Sequence, residues 1–260
     1  MECKNCNKKL IDTQKFCDEC GAKVIQNRLT PKVLAAQVNE QFISIDNKFL
    51  RTFIDLFKKP EAVIDGYIHG TRKKYIDVLQ YFAISLTLAG IQVFLMTTFF
   101  KESLVFGDGF NEGFNASQTN VDNLLPNFDF NNFLNYQGLI YIITVPFYAF
   151  GTWSIYYLFK QRIYNFTEHL VLNLYYSAQF IIVTSVFSIL FLFFGWDYVI
   201  VSALLSIPYF AYLFFILKRI FKNNFWKTLL RFLLVLTVIM ISTTVFFTIL
   251  MIVMIIAFNK

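Results

Sequence analysis

The chain has 260 residues, of which 57% are hydrophobic, 19% are aromatic and only 15% are charged. A water-soluble domain usually carries about 25% charged residues, and 33 Phe would need more interior than one domain of this length can enclose. An ordinary soluble domain is therefore excluded, and the formal net charge of +6, spread over short segments beside apolar stretches, favours membrane phosphate over nucleic acid as the partner.

Four cysteines open the chain and are all that it contains: Cys3, Cys6, Cys17 and Cys20. They form two Cys-x-x-Cys pairs, and each such turn can bring two thiolates to one ion. Two turns together complete the tetrahedron that zinc prefers, so the spacing predicts a zinc ribbon over residues 1–26. Because four protein ligands leave no position for water, we expect a structural Zn²⁺ rather than a hydrolytic one.

Disulfides, a thioredoxin-like redox pair and an iron–sulfur cluster are the alternatives for these cysteines. The basic connections between the later apolar stretches place this segment in a reducing cytosol, which disfavours disulfides. A redox pair is disfavoured because no βαβ pattern follows the motif, as a thioredoxin-like fold requires. A cluster stays open as an alternative, although the symmetric spacing in so small a domain favours closed zinc. About 25 residues cannot build an adequate core alone, so the metal would supply the folding free energy.

Residues 27–75 form a second segment, in which apolar residues recur every three or four positions between residues 30 and 57. This spacing places them on one face of a helix. Thr30 and Pro31 suit the N-cap and the first helical position, and Pro60 ends the pattern. We expect a cytosolic amphipathic helix that lies on the membrane surface or packs against other cytosolic parts. Its apolar residues are Leu34, Val38, Phe42, Ile45, Phe49, Phe53 and Leu56.

Five apolar stretches follow within residues 76–260. Each is long enough to cross a hydrocarbon core of about 30 Å, which takes roughly 20 helical residues. Their continuous apolar character indicates helices, because the strands of a membrane barrel alternate polar and apolar residues. The sequence thus predicts an all-α membrane protein with a transmembrane domain whose spans lie at about 76–100, 138–159, 170–194, 198–217 and 229–258.

Cationic residues occupy alternate connections between these spans. The loop from Lys101 to Gln137 has one Lys and five acidic residues, whereas the neighbouring connections are basic. Since cytoplasmic loops are enriched in Lys and Arg, this predicts a bacterial inner-membrane protein with a cytoplasmic N-terminus and a periplasmic or extracellular C-terminus. The inner cations are Arg72, Lys73, Lys74, Lys160, Arg162, Lys218, Arg219, Lys222 and Lys227.

A polar stripe marks the third span, where His169, Asn173 and Ser177 follow at four-residue steps and share a helix face. These residues either form a small polar pocket near the cytosolic leaflet or hydrogen-bond between helices, which is the commoner use. The sequence contains no serine elbow, P-loop or paired intramembrane carboxylates, so we do not expect an enzyme.

Two further segments carry a family resemblance. The run Tyr67, Gly70, Arg72, Lys73, Lys74 and Tyr75, after Phe49-Leu50-Arg51-Thr52 and Pro60, resembles an uncharacterised bacterial membrane protein family with an N-terminal zinc ribbon, domain of unknown function family 3667. The resemblance covers roughly residues 1–85. Lys59-Pro60-Glu61 departs from the Pro-Gly of that family. The resemblance implies the same architecture and inner-membrane location, and it implies no reaction.

Two functional hypotheses follow. The first is a non-enzymatic scaffold or regulator, which uses its cytosolic face to bind a cytosolic or membrane protein partner. The alternative is a transporter or a lipid-handling protein that uses the polar face of the third span. Arg72, Lys73 and Lys74 are candidate contacts for lipid head groups in either case, or they form a structural junction before the first span.

Overall fold

The computed structural model describes residues 2–11, 13–22, 24, 30–32, 48–71, 73–100, 136–196 and 198–258. The chain divides into two compact units, Met1–Asp46 and Asn47–Lys260. Among its described residues, the first unit has two tight turns and an isolated antiparallel bridge between Glu2 and Lys9.

In the described part of the second unit, helices are the regular secondary structure. A helix over residues 48–58, which we call α1, precedes a short helix and five long ones. Those six are α2 (Pro60–Ile68), α3 (Val78–Phe99), α4 (Gln137–Leu158), α5 (Phe166–Phe193), α6 (Tyr198–Phe221) and α7 (Phe225–Phe258). The five long helices are long and apolar enough to cross a membrane. The all-α membrane fold with five spans is thereby confirmed, and the chain is a multi-pass membrane protein.

The largest differences between the helix ends and the predicted spans, of four residues each, lie at three places. α5 begins at Phe166 instead of residue 170, α6 continues to Phe221 and α7 begins at Phe225. The apolar stretch in the sequence ends at the first polar or charged residues. The helix can continue past them, because polar side chains are tolerated once the helix has left the hydrocarbon core. At the start of α5 the Asn165 side chain accepts from the Glu168 amide, and the Glu168 side chain accepts from the Asn165 amide, so a capping box begins the helix four residues early.

Helix α5 is the centre of the bundle. Half of the residues in its apolar membrane-spanning stretch are buried, against 11% in the corresponding stretch of α7. Helix α5 packs against α3, α4 and α6. α7 contacts mainly α4. The outer faces of the spans expose large apolar side chains, which is the arrangement expected where lipid replaces water as the solvent.

Two of the basic connections meet at one end of the bundle. Gln161, in the α4–α5 connection, donates to the carbonyl of Phe221 at the end of α6 (2.9 Å). Its carbonyl oxygen accepts from Asn223 (2.9 Å) and from Arg231 of α7. This amide therefore joins the two cationic connections that the charge pattern assigned to one side.

The predicted amphipathic helix over residues 30–57 falls only partly within the described residues. Phe49, Phe53 and Leu56 lie on the face of α1 that packs against the bundle. Residues 33–47, with the other four apolar positions, lie outside the described part of the chain, as do the connection residues 101–135.

Candidate metal centre and membrane-embedded polar cluster

Each Cys-x-x-Cys turn is closed by its own backbone. The amide of Cys3 donates to the carbonyl of Lys8, and the amide of Asn7 donates to the carbonyl of Cys3, both at 2.8 Å. Asn7 has φ of 59°, a left-handed conformation that Asn tolerates better than most residues. The turn thus needs no strand or helix to hold its two sulfurs in place.

The second turn repeats the first. The amide of Cys17 donates to the carbonyl of Ala22, and the amide of Gly21 donates to the carbonyl of Cys17, both at 2.9 Å. Gly21 supplies the left-handed residue, with φ of 70°. The similarity of the two turns explains how a segment with so little regular structure presents four thiols in a common geometry.

The four sulfurs converge on one point. Cys3 Sγ lies 3.6 Å from Cys20 Sγ, and Cys6 Sγ lies 3.6 Å from Cys17 Sγ. All four lie within 4.8 Å of one another. A tetrahedron with metal–sulfur bonds of about 2.3 Å has sulfur–sulfur edges of roughly 3.8 Å, whereas a disulfide needs about 2.05 Å. The cysteines are free, and their spacing fits a tetrahedral metal site.

Local hydrogen bonds lower the proton affinity of one thiol. The pKa of Cys20 is lowered to about 6, first by a hydrogen bond with the Asn5 side chain and then by the backbone amide of Ala22. A thiolate is the form that binds metal. These hydrogen bonds therefore favour the thiolate form of Cys20.

An ion pair joins the two turns on their outer side. Lys8 Nζ lies 3.0 Å from Asp18 Oδ2 and 3.4 Å from Glu19 Oε2. Lys8 Nζ donates a hydrogen bond to Asp18 Oδ2. This bond raises the pKa of Lys8 and lowers the pKa of Asp18. Since the groups are solvent-exposed, the pair orients the turns more than it stabilises them.

The ribbon has almost no apolar interior. Cys3, Leu10 and Cys17 are its buried residues among those described, with Ala22 and Val24 packed beside them. Two large apolar side chains point outward instead, since Ile11 is 68% exposed and Phe16 is 56% exposed.

The predicted polar residues of the third span lie together inside the bundle. His169, Asn173 and Ser177 are all buried on α5. Thr152 of α4, which the sequence analysis missed, joins the first two: its Oγ1 lies 3.1 Å from His169 Nδ1 and accepts from Asn173 Nδ2 at 2.9 Å. Asn173 Nδ2 also donates to the carbonyl of His169 (2.8 Å).

Three polar atoms around this cluster lack a hydrogen-bond partner among the described residues: Asn173 Oδ1, Ser177 Oγ and Tyr156 OH. A buried polar group left in this state costs about 1–3 kcal/mol, and bound water is the usual remedy. The His169 ring is enclosed by aromatic rings, with Phe221 stacked at 5.8 Å and Tyr164 edge-on at 5.9 Å.

A crevice of about 670 Å³ opens in the membrane domain. Three helices contribute most of its walls, and its lining combines apolar side chains with seven hydroxyl-bearing ones and includes no charged residue among those described. The hydroxyl-bearing residues are Thr144, Tyr148, Tyr176, Tyr209, Thr243, Thr244 and Thr248. The crevice contains none of His169, Asn173 and Ser177, so the two features are separate.

The candidate head-group residues lie in the bend before α3. Lys73 and Lys74 are exposed, and Lys74 Nζ lies 5.0 Å from the ring of Tyr75. Arg72 lies outside the described residues. Tyr75 is buried and donates to Asp55 Oδ2 of α1 at 3.0 Å, so this bend is fixed to α1.

Helix α1 is bound to the spans through its backbone. Gln179 of α5 donates to the carbonyl of Phe53 (3.1 Å), and Tyr212 of α6 donates to the carbonyl of Leu56 (3.2 Å). The latter carbonyl lies in the last turn of α1, where no helical amide is available to it.

A known protein family matches the segment that contains α1, α2 and the start of α3. Residues 46–90 match the model of the family described as "Protein of unknown function (DUF3667)", which confirms for this segment the resemblance seen in the sequence. The matched residues include the described part of α1, all of α2 and the first half of α3, and the four cysteines lie outside them. No curated protein and no solved structure matches the chain.

Proposed function

We propose that this chain is a non-enzymatic scaffold or regulator of the bacterial inner membrane, in which a zinc-bound ribbon on the cytosolic side binds a protein partner. The convergence of four cysteine sulfurs within 4.8 Å is the observation that carries the proposal. Four thiolates fill a tetrahedral shell, so a zinc ion held there would organise the turns and leave no position for a substrate.

Zinc is favoured by the donor set. Zn²⁺ has no geometric preference from its d-electrons, so it accepts a tetrahedron of four sulfur ligands. Closed four-cysteine sites are commonly structural zinc sites. The ordered turns have few buried apolar side chains, so the metal is the natural source of their folding free energy. The cytosolic location is supported by the basic connections of the spans.

The exposed side chains of Ile11 and Phe16 support a role in binding. Because metal binding replaces a core, a ribbon can direct its large apolar side chains outward. Apolar and aromatic residues of this kind are the usual anchors of a protein interface. The two residues flank the connection between the cysteine turns, where a partner can reach both.

The test is affinity purification of the full chain in mild detergent, with the zinc content measured on each sample. The ribbon variant Ile11→Ser/Phe16→Ser should keep its zinc and lose the partner, while Cys3→Ser/Cys17→Ser should lose both. Thr13→Ala, an exposed change in the same connection, is the matched control and should behave as wild type. An unchanged set of co-purifying proteins in the zinc-free variant would contradict the proposal.

The second candidate function is lipid handling or transport within the bilayer. It is favoured by the unpartnered atoms Asn173 Oδ1 and Ser177 Oγ beside His169, in a region where a polar group without a use is expensive. In reconstituted vesicles, Asn173→Leu and His169→Ala should each reduce lipid movement or solute flux, while Thr87→Val on the exposed face of α3 should not. Equal rates in all four proteins would eliminate this function for the polar cluster.

A further inference from the structure

Helix α1 carries an apolar stripe that faces away from the bundle. Leu50 is 57% exposed, Ile54 is 38% exposed and Phe57 is 43% exposed. These positions are four and three residues apart, so they share one face of the helix. An exposed apolar stripe on a short helix normally marks an interaction surface.

The stripe cannot turn inward, because the opposite face of α1 is fixed. Thr52 and Leu56 are fully buried, and the carbonyls of Phe53 and Leu56 accept from Gln179 and Tyr212 as described above. Rotation of α1 about its axis would break both bonds.

The depth of α1 relative to the spans is set by its contacts with α3. Thr52 Oγ1 accepts from the amide of Ile76 at 3.1 Å, and the ring of Phe49 lies 5.5 Å from that of Tyr81. Since α3 begins at Val78, α1 lies level with the first turn of a membrane span. A span that begins at this level would cross the boundary between head groups and acyl chains near its first turn, and amphipathic helices bury their apolar face at that boundary.

Charge is arranged along α1 as this position requires. Arg51 and Lys58 are exposed and lie on the arc beside the stripe, where long side chains can reach lipid phosphates. On its other side the stripe continues onto a span, because the ring of Phe57 lies 5.4 Å from that of Tyr212. A surface continuous with the lipid-facing bundle and bordered by cations matches a leaflet better than it matches a protein.

We infer that α1 is an interfacial anchor for anionic phospholipid. Leu50, Ile54 and Phe57 insert among the acyl chains of the leaflet at the end of the bundle where α3 begins, and Arg51 and Lys58 bind the phosphates. The Thr52–Ile76 hydrogen bond then connects the lipid-bound helix to the start of the first span. This role is independent of the ribbon and of its metal.

The insertion is tested with the full chain in vesicles that contain phosphatidylglycerol. The native tryptophans are replaced (Trp153→Phe, Trp196→Phe, Trp226→Phe) and one probe is added, either Ile54→Trp or the control Arg51→Trp on the polar arc. Lipid brominated on the upper acyl chain should quench Ile54→Trp at least roughly two-fold more than Arg51→Trp, and acrylamide should show the reverse order. If acrylamide alone quenches Ile54→Trp, the side chain faces water and the insertion is overturned. If neither agent quenches it, the insertion is also overturned, because another protein surface, such as a second copy of this chain, then covers the stripe.

Lipid binding is tested in the otherwise native chain, which avoids the tryptophan replacements. Arg51→Gln/Lys58→Gln should retain roughly 30-fold less phosphatidylglycerol than wild type in native mass spectrometry, which corresponds to about 1 kcal/mol for each of the two cations. Lys227→Gln, in the first turn of α7, should retain the wild-type amount. Equal retention in all three proteins would contradict phosphate binding at α1.

Discussion

Thr52 and Ile76 are joined by a hydrogen bond that spans 24 residues of the sequence. The amide of Ile76 donates to Thr52 Oγ1 at 3.1 Å, and the same hydroxyl donates to the carbonyl of Lys48 at 2.7 Å. Thr52 is fully buried, so no water can replace it as the acceptor. Both residues lie in the segment that matches the family of unknown function, which makes this joint a structural feature of the matched region.

Replacement of Thr52 by Val tests the joint. Valine has the same shape as threonine, and the loss of the hydroxyl leaves the buried amide of Ile76 without an acceptor. We expect a cost of about 1–3 kcal/mol in the free energy of unfolding, measured by thermal unfolding in detergent. The matched control is Thr87→Val, since the Thr87 hydroxyl donates only to its own helix (2.9 Å to Ala83). Equal effects of the two substitutions would mean that the joint contributes nothing.

Gly151 sets the approach of α4 to α7. A Cβ at this position would lie 2.5 Å from Ile239 Cγ1 and 3.3 Å from the carbonyl of Val235. Gly151→Ala should therefore destabilise the bundle by about 1–3 kcal/mol through overpacking. Ile239→Ala should restore part of that loss in the double variant. Gly90→Ala, where a Cβ meets nothing within 4 Å, should be neutral or slightly stabilising. A Gly151→Ala protein as stable as Gly90→Ala would refute the close contact.

Glu61 and Arg219 form a two-pronged ion pair between α2 and α6. Arg219 Nη2 lies 2.6 Å from Glu61 Oε1, and Arg219 Nε lies 3.1 Å from Glu61 Oε2. Because both side chains remain partly exposed, a double-mutant cycle with Glu61→Gln and Arg219→Gln should give a coupling of about 0.2–1 kcal/mol that falls as salt is added. A coupling that does not respond to salt would contradict a solvent-screened pair.

Asp65 should make stability depend on pH. Burial raises the pKa of Asp65, and the nearby charges of His69 and Lys222 oppose that shift only in part. Since the pKa of the folded state is the higher one, this group contributes stability at acidic pH that is lost as the pH rises through that value. Asp65→Asn should therefore raise Tm relative to wild type more at neutral pH than at about pH 4. A larger gain at the acidic pH would reverse the assigned sign.

The spans could be predicted from sequence because their signal is local. A run of about 20 apolar residues has no other stable solution than a helix across the bilayer, and five such runs were found at nearly the observed positions. The cysteine turns were predictable for the same reason, since residues at fixed short spacing determine which sulfurs meet.

The contacts made between helices were not predictable in this way. The partner of His169 and Asn173 is Thr152, and this contact depends on how α4 packs against α5, which the sequence of neither helix specifies. The same holds for Gln179 and Tyr212, whose bonds to α1 join residues more than 120 positions apart. Each reads in isolation as an ordinary polar residue of a membrane helix. Small residues around Thr152, namely Ala149 and Gly151, were the available hint that another helix approaches there.

The metal content and sulfur coordination of the purified full chain test the central claim most directly. Elemental analysis should find one zinc per chain, and X-ray absorption at the zinc edge should find four sulfur neighbours at about 2.3 Å. Iron in place of zinc, nitrogen or oxygen among the neighbours, or a protein that keeps its four thiols free in the presence of added zinc, would contradict the proposed zinc ribbon.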